Sequence, residues 1–385
     1  MWTRNAHYAL MNAMLLMNCG ALLAGGITLW AGFASALMLS TMVDEAAGDD
    51  VARDPNAPVR FLDAMLFLTL PLMTLNIIAL SLLFGTGDGF GLVPFLLKVG
   101  IDVEAARSAS GLWTLLGALM GTGLFVGAAA TNVAHELTHR TQDRAAMLAG
   151  RWLLAFSFDT SFSIEHVYGH HRNVGTPSDP ATARRGEYSL AFFLRSTTDG
   201  NLSAWRIETA RLLRRKLPVF SPQNRFLTGQ LMTLTILAAV TVIGGTFAAL
   251  AFFAVAVQGK LYLELVNYIE HYGLVRVPGK AVEPRHSWNT YKALSSGLLY
   301  NLPRHSHHHM YAAKPFWALE AEPDGPTYPF GYMTMILISL APPLWRKVVD
   351  PLLASWDRDM ASDGERAILA PQSGRSPPHQ VLPAE

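Results

Sequence analysis

Long uncharged runs are the feature that most limits how this chain can fold. Hydrophobic residues make up 51% of its 385 residues and charged residues only 15%, a balance typical of membrane proteins. The first run, at about 8–43, would measure roughly 54 Å as a single helix, well beyond the ~30 Å hydrocarbon core of a bilayer. We therefore expect a turn near Gly25 and Gly26. In all, the sequence predicts six membrane spans, at about 8–24, 27–43, 61–84, 112–133, 226–243 and 247–265.

Charge and cysteine content exclude several classes of protein. The formal net charge of +1 lacks the basic excess that nucleic-acid binding requires, so we expect no nucleic-acid partner. A single cysteine, Cys19, rules out a disulfide framework, an iron–sulfur cluster or a rubredoxin-type iron site within this chain. Any electrons must then come from a separate protein. We interpret the N-terminal run as a membrane anchor rather than a cleaved signal peptide.

The distribution of basic residues predicts the orientation in the membrane. Residues 140–225 contain thirteen Lys and Arg against seven Asp and Glu, and the positive-inside rule places such a segment in the cytoplasm. We expect an all-α integral protein of the bacterial inner membrane, with one membrane domain over 1–361 and a disordered tail over 362–385. Its cytoplasmic face, with Arg211, Arg214, Arg215 and Lys216, could dock an acidic electron carrier. The positive-inside rule by itself would also account for these basic residues.

Histidines gather in four short segments, at 135–139, 166–171, 271 and 305–309. Three pairs among them are four residues apart, a spacing that places both rings on one face of an α-helix and lets them bind one metal ion. Nine imidazoles are too many for one ion, so the pattern predicts two. The candidate ligands are His135, His139, His166, His170, His171, His271, His305, His308 and His309.

Simpler interpretations exist for the same residues. His135 and His139 with Glu136 match the H-E-x-x-H motif of zinc proteases, in which the glutamate is the general base. A zinc intramembrane protease would need one further ligand only. Histidines at helix ends, a surface histidine tract and a non-catalytic metal carrier are other possibilities. Imidazole suits zinc, copper, nickel and iron alike, so ligand type does not select the metal.

Carboxylates near these histidines could accept a ring N–H and thereby fix the tautomer of a ligand. The candidates are Glu136, Glu165, Asp179, Glu187 and Glu270. The alternative role for such groups is an ion pair with Arg172, Arg184 or Arg185.

The motifs and their order resemble the integral-membrane non-haem di-iron alkane 1-monooxygenase family, within the fatty acid desaturase superfamily. The resemblance covers about residues 130–350. It rests on His135-Glu136-Leu137-Thr138-His139-Arg140, Glu165-His166-Val167-Tyr168-Gly169-His170-His171-Arg172 with Asp179-Pro180, Asn267-Tyr268-Ile269-Glu270-His271-Tyr272-Gly273, Arg285-His286-Ser287-Trp288-Asn289 and Arg304-His305-Ser306-His307-His308-His309.

Membership would imply a six-helix transmembrane domain in which the nine histidines hold two non-haem iron ions on the cytoplasmic side. It would also imply that O₂ hydroxylates the terminal methyl group of an alkane, or of a similar apolar small molecule, to a primary alcohol. Electrons would come from rubredoxin or a ferredoxin-type carrier with its NAD(P)H-dependent reductase.

Some positions depart from the family pattern. His307 stands where the family usually has Asp, and Pro303 where Gln is common, so the role of His307 stays open. Residues 273–276, 356–358 and 364–366 also resemble the related xylene monooxygenases, which oxidise aryl methyl groups. A xylene-type monooxygenase and a membrane fatty acyl desaturase are therefore alternative functions.

Overall fold

Helices make up the regular structure of this protein. A computed structural model describes residues 5–52 and 55–370. Within those residues no strand forms, and two isolated β-bridges join loop segments. The predicted all-α class is confirmed for this part of the chain.

The helices are numbered in chain order. They are α1 (Ala6–Ala24), α2 (Gly26–Ala47), α3 (Val59–Phe84), α4 (Leu92–Lys98), α5 (Val103–Ser108), α6 (Leu112–His139), α7 (Arg144–Ala155), α8 (162–173), α9 (Ser189–Arg214), α10 (Arg225–His271), α11 (Ala293–Leu298), α12 (His305–Met310), α13 (Tyr332–Ser339), α14 (Pro342–Asp359) and α15 (Asp363–Leu369). Short π-helical turns lie inside α2, α6 and α8, at Leu39–Val43, Val126–Thr131 and His166–His170.

Among the described helices, α1, α2, α3, α6 and α10 are long and apolar enough to cross a membrane. The first two form the predicted hairpin at Gly25, whose φ of 70° is a conformation that L-residues avoid. A Cβ on Gly25 would also lie 2.3 Å from the carbonyl oxygen of Ala106 in α5. Both observations explain why glycine occupies this turn.

Helix α10 consists of two apolar helices joined at a sharp break. Its 47 residues would reach ~70 Å if straight, more than twice the ~30 Å hydrocarbon core. The helix is interrupted at Gly245, where φ is 73°. Both of its ends reach α8, because the Arg225 guanidinium lies 5.1 Å from the Tyr168 ring and the His271 ring lies 4.7 Å from that of His170. The chain therefore reverses at the predicted position, while the count of six bilayer crossings stays a prediction.

Buried polar side chains connect the apolar helices. Asn18 of α1 donates to Asn76 Oδ1 of α3 at 2.8 Å and to Thr122 Oγ1 of α6 at 3.3 Å. Asn76 in turn donates to the carbonyl oxygen of Leu15 at 3.0 Å. Hydrogen bonds of this kind between helices hold membrane bundles in register. They help to hold α6, whose last turn carries the first two candidate ligands.

Helices α9, α13, α14 and α15 cover one end of the bundle, and we call them the cap. There α13 has only eight residues and does not reach spanning length. A second apolar core forms around the last turns of α10, where Tyr268 packs with Trp345 and Trp356 of α14. This packing holds the C-terminal part of α10, and with it His271, against the rest of the cap.

The predicted disorder of 362–385 is wrong for the first part of that segment. Residues Asp363–Leu369 form α15, which begins with a capping box between Ser362 and Glu365. Glu365 also lies 2.7 Å from His286 Nε2 and accepts from Arg285 at 3.0 Å. These contacts supply the stabilisation that composition alone did not predict. Residues 371–385 lie outside the described part of the chain.

Candidate metal centre

Nine histidines from four separate segments meet at one end of the bundle. Helix α6 contributes two histidines, α8 three, the last residue of α10 one and α12 three. They form two groups, and within each group all the ligand atoms lie within 4.8 Å of one another. The five-histidine group contains His135, His139, His166, His171 and His308, and the four-histidine group contains His170, His271, His305 and His309.

Ring nitrogens converge within the five-histidine group. His166 Nε2 lies 3.1 Å from His139 Nε2 and 3.0 Å from His171 Nε2. His308 Nε2 lies 3.2 Å from His171 Nε2. The buried Nε2 of His135 has no hydrogen-bond partner among the described residues. A neutral imidazole carries one N–H, so this many facing nitrogens cannot satisfy one another by hydrogen bonding alone.

The four-histidine group has the same character. His305 Nε2 lies 3.0 Å from the Nε2 atoms of both His271 and His309, and His170 Nε2 lies 3.3 Å from that of His309. A carboxylate oxygen of Glu270 is 3.2 Å from His305 Nε2. This group therefore offers a metal ion four imidazoles and one nearby carboxylate.

Both groups fit a metal ion. Two nitrogens bound at about 2.1 Å and at right angles would be roughly 3 Å apart, close to the spacings found here. Burial, with nearby imidazoles adding to the effect, lowers the pKa of His171 and His308 well below the ordinary value. The neutral imidazole that results is the form that binds metal. Histidine ligation without cysteine suits iron but also zinc, copper and nickel, so each group could hold a metal ion and the ligand type does not select the element.

The turn His166–His170 determines which group each histidine of α8 joins. Its four-residue spacing predicted that His166 and His170 bind the same ion, and this is wrong, because they belong to different groups. The segment is a π-helical turn, in which hydrogen bonds link residues five apart. His166 therefore aligns with His171, and their Nε2 atoms lie 3.0 Å apart. The other two four-residue pairs lie in α-helices and each shares a group, as predicted.

Asp179 contacts His170, one of the candidate ligands. Its two carboxylate oxygens lie 2.9 and 3.0 Å from His170 Nδ1. The Thr182 hydroxyl donates to Asp179 at 2.5 Å, and the Ala181 N–H donates at 3.1 Å. Because the carboxylate accepts the Nδ1 proton, Nε2 of His170 keeps its lone pair for a metal ion.

Glu270 and Glu165 are also buried at the site. The Tyr332 hydroxyl donates to Glu270 at 3.0 Å, which orients the carboxylate beside the four-histidine group. Glu165 lies so close over Gly169 that a Cβ there would be 2.4 Å from its Oε1, and it accepts from the Ser203 hydroxyl at 3.4 Å. A side chain at position 169 would displace this carboxylate.

Two of the predicted carboxylate supports have another role. Glu136 pairs with Arg140 at 3.0 Å, and Arg140 also binds Asp63 at 2.7 Å. Glu187 pairs with Arg195 at 2.7 Å. Neither accepts from a ligand histidine in the described structure, so their predicted role is wrong. In an α-helix, consecutive side chains point about 100° apart, so the residue after His135 faces away from the metal group.

His307, the departure from the family pattern, belongs to neither histidine group. Its Nδ1 accepts the backbone N–H of Glu320 at 3.0 Å, and its Nε2 lies 3.2 Å from Lys314 Nζ. The side chain thus connects α12 to the loop that follows it.

Comparison with known proteins agrees with this geometry. A family model described as fatty acid desaturase matches residues 110–337, more than half of the chain. The chain belongs to the fatty acid desaturase family. It is 37% identical to alkane 1-monooxygenase 1 of Pseudomonas aeruginosa over 284 residues, which are 70% of this chain and 74% of that protein. The alkane 1-monooxygenase of Acinetobacter baylyi is 37% identical over 61% of this chain and 58% of its own length.

A third relative is the xylene/toluene monooxygenase hydroxylase component of Pseudomonas putida. It is 28% identical over 347 residues, which are 89% of this chain and 88% of that protein. The predicted family and oxidoreductase class are confirmed by these relatives. With its apolar helices, this member of the desaturase family is an integral membrane protein.

In this desaturase-family chain, the segment 285–289 joins two ligand-bearing helices. The backbone N–H of Trp288 donates to the carbonyl oxygen of Glu270 at 2.9 Å. Asn289 Oδ1 accepts the N–H of Ser306 at 2.9 Å, and Asn289 Nδ2 donates to Ser306 Oγ at 2.7 Å. The end of α10 and the start of α12 are thereby held together, beside His271 and His305.

Arg276 has a supporting role that the sequence analysis did not assign. Its side chain is buried and donates to the carbonyl oxygens of Val174 at 2.7 Å and Arg172 at 2.6 Å. These bonds hold the chain immediately after His171. Arginines are rarely buried unless they are paired, so the burial of Arg276 indicates a structural role. The sequence alone does not show that burial.

An apolar cavity of about 920 Å³ extends from the histidines into the bundle. His135, His166 and Glu270 line its inner end, and small residues of the π-helical turn in α6 line its middle. The apolar lining includes Met11, Met14, Leu124, Phe125, Leu263, Leu298, Met333 and Ile336. A cavity with this apolar lining suits a hydrophobic small molecule.

Proposed function

We propose that this protein hydroxylates the terminal methyl group of an alkane, or of a similar apolar molecule, to a primary alcohol with O₂. The main support is that His135 and His166, both in the five-histidine group, line the inner end of the apolar cavity. A substrate lying in that cavity would bring its end to the metal group while apolar walls hold the rest of the chain. The relatives named as alkane 1-monooxygenases support the same reaction.

Two iron ions are the cofactors of this proposal, one in each histidine group. The nine histidines are their ligands, and the Glu270 carboxylate faces the ion of the four-histidine group. Bound iron would supply the reduction of O₂ and the cleavage of the C–H bond, chemistry that protein side chains lack.

The side chains act by orientation and exclusion. Asp179 keeps the His170 proton on Nδ1, so that Nε2 is free to bind metal. The apolar cavity excludes water and aligns the substrate so that its end is held near the histidines. Terminal selectivity follows from this alignment, because the cavity admits the chain lengthwise.

Electrons would arrive at a groove on the outer face of α8. Eight arginines line this groove: Arg144, Arg151, Arg172, Arg206, Arg211, Arg214, Arg215 and Arg225. Tyr168, which is 42% exposed, also lines the groove and lies between two ligands in the chain. An acidic carrier bound there by charge would be close to His166 and His170. Rubredoxin or a ferredoxin-type protein, reduced by an NAD(P)H-dependent reductase, is the proposed carrier.

The arginine groove also supports an orientation. It belongs to the same basic segment, with thirteen Lys and Arg against seven Asp and Glu over 140–225, that the positive-inside rule assigns to the cytoplasm. We therefore assign the protein to the bacterial inner membrane with its metal site facing the cytoplasm, where reduced carriers are available.

Product analysis tests the proposed reaction. The full chain, supplied with carrier and reductase, is incubated with linear alkanes under ¹⁸O₂, and iron is measured in the same preparation. We expect two irons per chain and a primary alcohol that contains one labelled oxygen. In His170→Ala, which removes a ligand, we expect lower iron content and loss of alcohol formation. Full activity with both irons retained in that variant would falsify the ligand assignment.

His307→Gln is the matched control for the ligand variant. His307 is buried in α12 among three of the candidate ligands but lies outside both groups. We expect this variant to keep two irons. Loss of one iron from His307→Gln alone would show that the group assignment is incomplete.

A methyl group on an aromatic ring is the second candidate substrate. It is favoured by the xylene/toluene monooxygenase component, which aligns with 89% of this chain. Offering alkanes and methylbenzenes in the same assay distinguishes the two by rate. An alkene instead of an alcohol would indicate a desaturase.

A further inference from the structure

A second cavity, of about 330 Å³ and polar in its lining, lies next to the metal site. We call it the polar cavity. It shares Phe162, His166 and Asn267 with the apolar cavity. Its outer wall is formed by α9, with Thr197 and Gly200 among the lining residues. The polar cavity therefore extends from a cap helix to the edge of the five-histidine group.

Three charged side chains meet in the wall of the polar cavity. Lys260 Nζ lies 2.5 Å from both Asp159 Oδ2 and Glu264 Oε1, and both acids are 3% exposed. One ammonium can neutralise only one of the two carboxylates. The second carboxylate then carries either an uncompensated buried charge or a proton. The cluster thus has room for one exchangeable proton.

One hydrogen bond leads from this cluster toward the edge of the five-histidine group. Asn267 donates to Glu264 Oε2 at 3.2 Å and lines both cavities. Glu165, which directly precedes His166, lines the polar cavity as well. Toward α9, the Thr197 hydroxyl is buried without a hydrogen-bond partner in the described structure. Such a hydroxyl is a place for water, and the cavity has space for a water molecule beside it.

The proposed reaction consumes protons. One oxygen atom of O₂ enters the C–H bond, and the other leaves as water, which takes up two electrons from the carrier protein and two protons from solvent. The apolar cavity has a mostly apolar lining, and the arginine groove is strongly cationic and repels protons. The polar cavity joins polar residues of α9 to His166 at the edge of the five-histidine group.

We propose that the polar cavity delivers these protons, with Glu264 taking a proton from cavity water and releasing it into the part of the cavity that His166 lines. Glu264 then regains a proton from the water behind it, so it is unchanged after each turnover. The charged groups that face it are Lys260, Asp159 and Glu165, together with His166. This inference rests on the proposed hydroxylation, since only a reaction that consumes protons needs such a path.

The variant Glu264→Gln tests the proposal in the full chain with carrier and reductase. Glutamine keeps the shape and can still accept from Asn267, but it does not release a proton. We expect unchanged iron content, alcohol formation about tenfold slower or more, and more electrons consumed per alcohol. The solvent deuterium isotope effect on turnover should also rise. Glu264→Asp, which retains a carboxylate, should recover part of the rate.

Neighbouring threonines on α9 provide a matched pair. Thr197 lines the polar cavity, whereas the adjacent Thr198 is exposed and donates to the Leu194 carbonyl oxygen at 2.8 Å. We expect Thr197→Val to slow turnover roughly threefold, the effect of losing one hydrogen bond, and Thr198→Val to leave it unchanged.

The outcomes separate this proposal from the proposed function. If the wild-type chain makes no alcohol with any carrier, the hydroxylase assignment fails. If the wild type is active and Glu264→Gln matches it in rate and in electrons per alcohol, the proton path is overturned and the hydroxylase assignment stands. Should Glu264→Gln lose iron, Thr197→Val decides: a wild-type rate overturns the path, and a slower rate with full iron supports it.

Discussion

At the residue scale, His170 depends on a single buried partner. Its Nδ1 faces both oxygens of Asp179, and both side chains are fully buried. Asp179 is in turn held by Thr182 and by the backbone of the loop after α8. The carboxylate therefore determines the tautomer of His170 and the direction in which its other nitrogen points.

Replacing Asp179 with Asn should weaken the four-histidine group. The amide has nearly the same size but loses the negative charge that holds the Nδ1 proton. We expect iron affinity or turnover to fall about 10- to 100-fold, the range seen when such supporting groups are lost. Iron content by elemental analysis and alcohol formation measure the effect.

Asp102→Asn is a suitable control for this variant. Asp102 caps α5 by accepting the Ala105 N–H at 2.9 Å, and asparagine caps helices equally well. We expect it to retain iron and activity. Wild-type iron loading and turnover in Asp179→Asn would contradict the role assigned to that carboxylate.

At the element scale, helix type decides how a sequence spacing becomes a geometry. The pairs in α6 and α12 lie in α-helices and share a metal group, whereas the π-helical turn in α8 separates His166 from His170. One short segment can thereby contribute to both groups, with His170 in one and His166 and His171 in the other.

Helix α15 is an element that a few polar contacts attach to the cap. Burial alone would raise the pKa of Glu365, but hydrogen bonds from His286, the Ser362 backbone and Arg285 hold that pKa at about 2. A lowered pKa means that the ionised form stabilises the folded state. This stabilisation is present above the ordinary glutamate pKa of 4.5 and is lost as the pH falls toward about 2.

Glu365→Gln should loosen α15 in a pH-dependent manner. Glutamine can still complete the capping box, so the variant removes mainly the charge. At neutral pH we expect faster hydrogen exchange over 363–369 than in the wild type. The difference should shrink as the pH is lowered from 4.5 toward 2, where the wild-type carboxylate also becomes neutral.

Asp363→Asn is the control in the same helix, because Asp363 is exposed and makes only a long contact of 3.6 Å with Arg366. It should exchange like the wild type at every pH. An equal difference between Glu365→Gln and wild type at all pH values would argue against ionisation of Glu365 as its cause.

At the scale of the whole molecule, three different surfaces lead to one metal centre. The apolar cavity lies between membrane helices, the arginine groove lies on the cap, and the polar cavity opens beside α9. In the proposed function these surfaces serve substrate, electrons and protons respectively. Separate routes keep water away from the substrate end of the cavity while polar reactants still arrive.

Charge reversal in the arginine groove should weaken carrier docking without altering the metal site. For the double variant Arg206→Glu with Arg214→Glu, we expect the KM for an acidic carrier to rise about tenfold at low salt. The wild-type rate should fall with increasing ionic strength, because salt screens exposed charges, and the variant should be less sensitive. Steady-state rates at several carrier and salt concentrations measure both effects.

Arg358→Glu provides the corresponding control, since its side chain is 70% exposed on α14 and lies outside the groove. This variant should leave the KM for carrier unchanged. If the double variant also leaves it unchanged at low salt, the carrier docks elsewhere.

Several properties followed from the sequence because they depend on local patterns. Uncharged runs of spanning length predicted the apolar helices, and the paired glycines at 25 and 26 predicted the first hairpin turn, since hydrophobicity and backbone freedom act over a few residues. The nine histidines were also recognisable, because imidazoles embedded among apolar runs are costly unless they are bound.

Other properties appeared only in the tertiary structure, because they arise between distant parts of the chain. Lys260 meets Asp159 across 101 positions, and Arg276 binds the Arg172 carbonyl across 104. The sequence predicted that Glu136 and Glu187 support the histidines, but in the folded chain each forms an ion pair with an arginine. Spacing indicated which histidines are candidate ligands, but the π-helical turn and the packing of α10 and α12 decided how they divide into two groups.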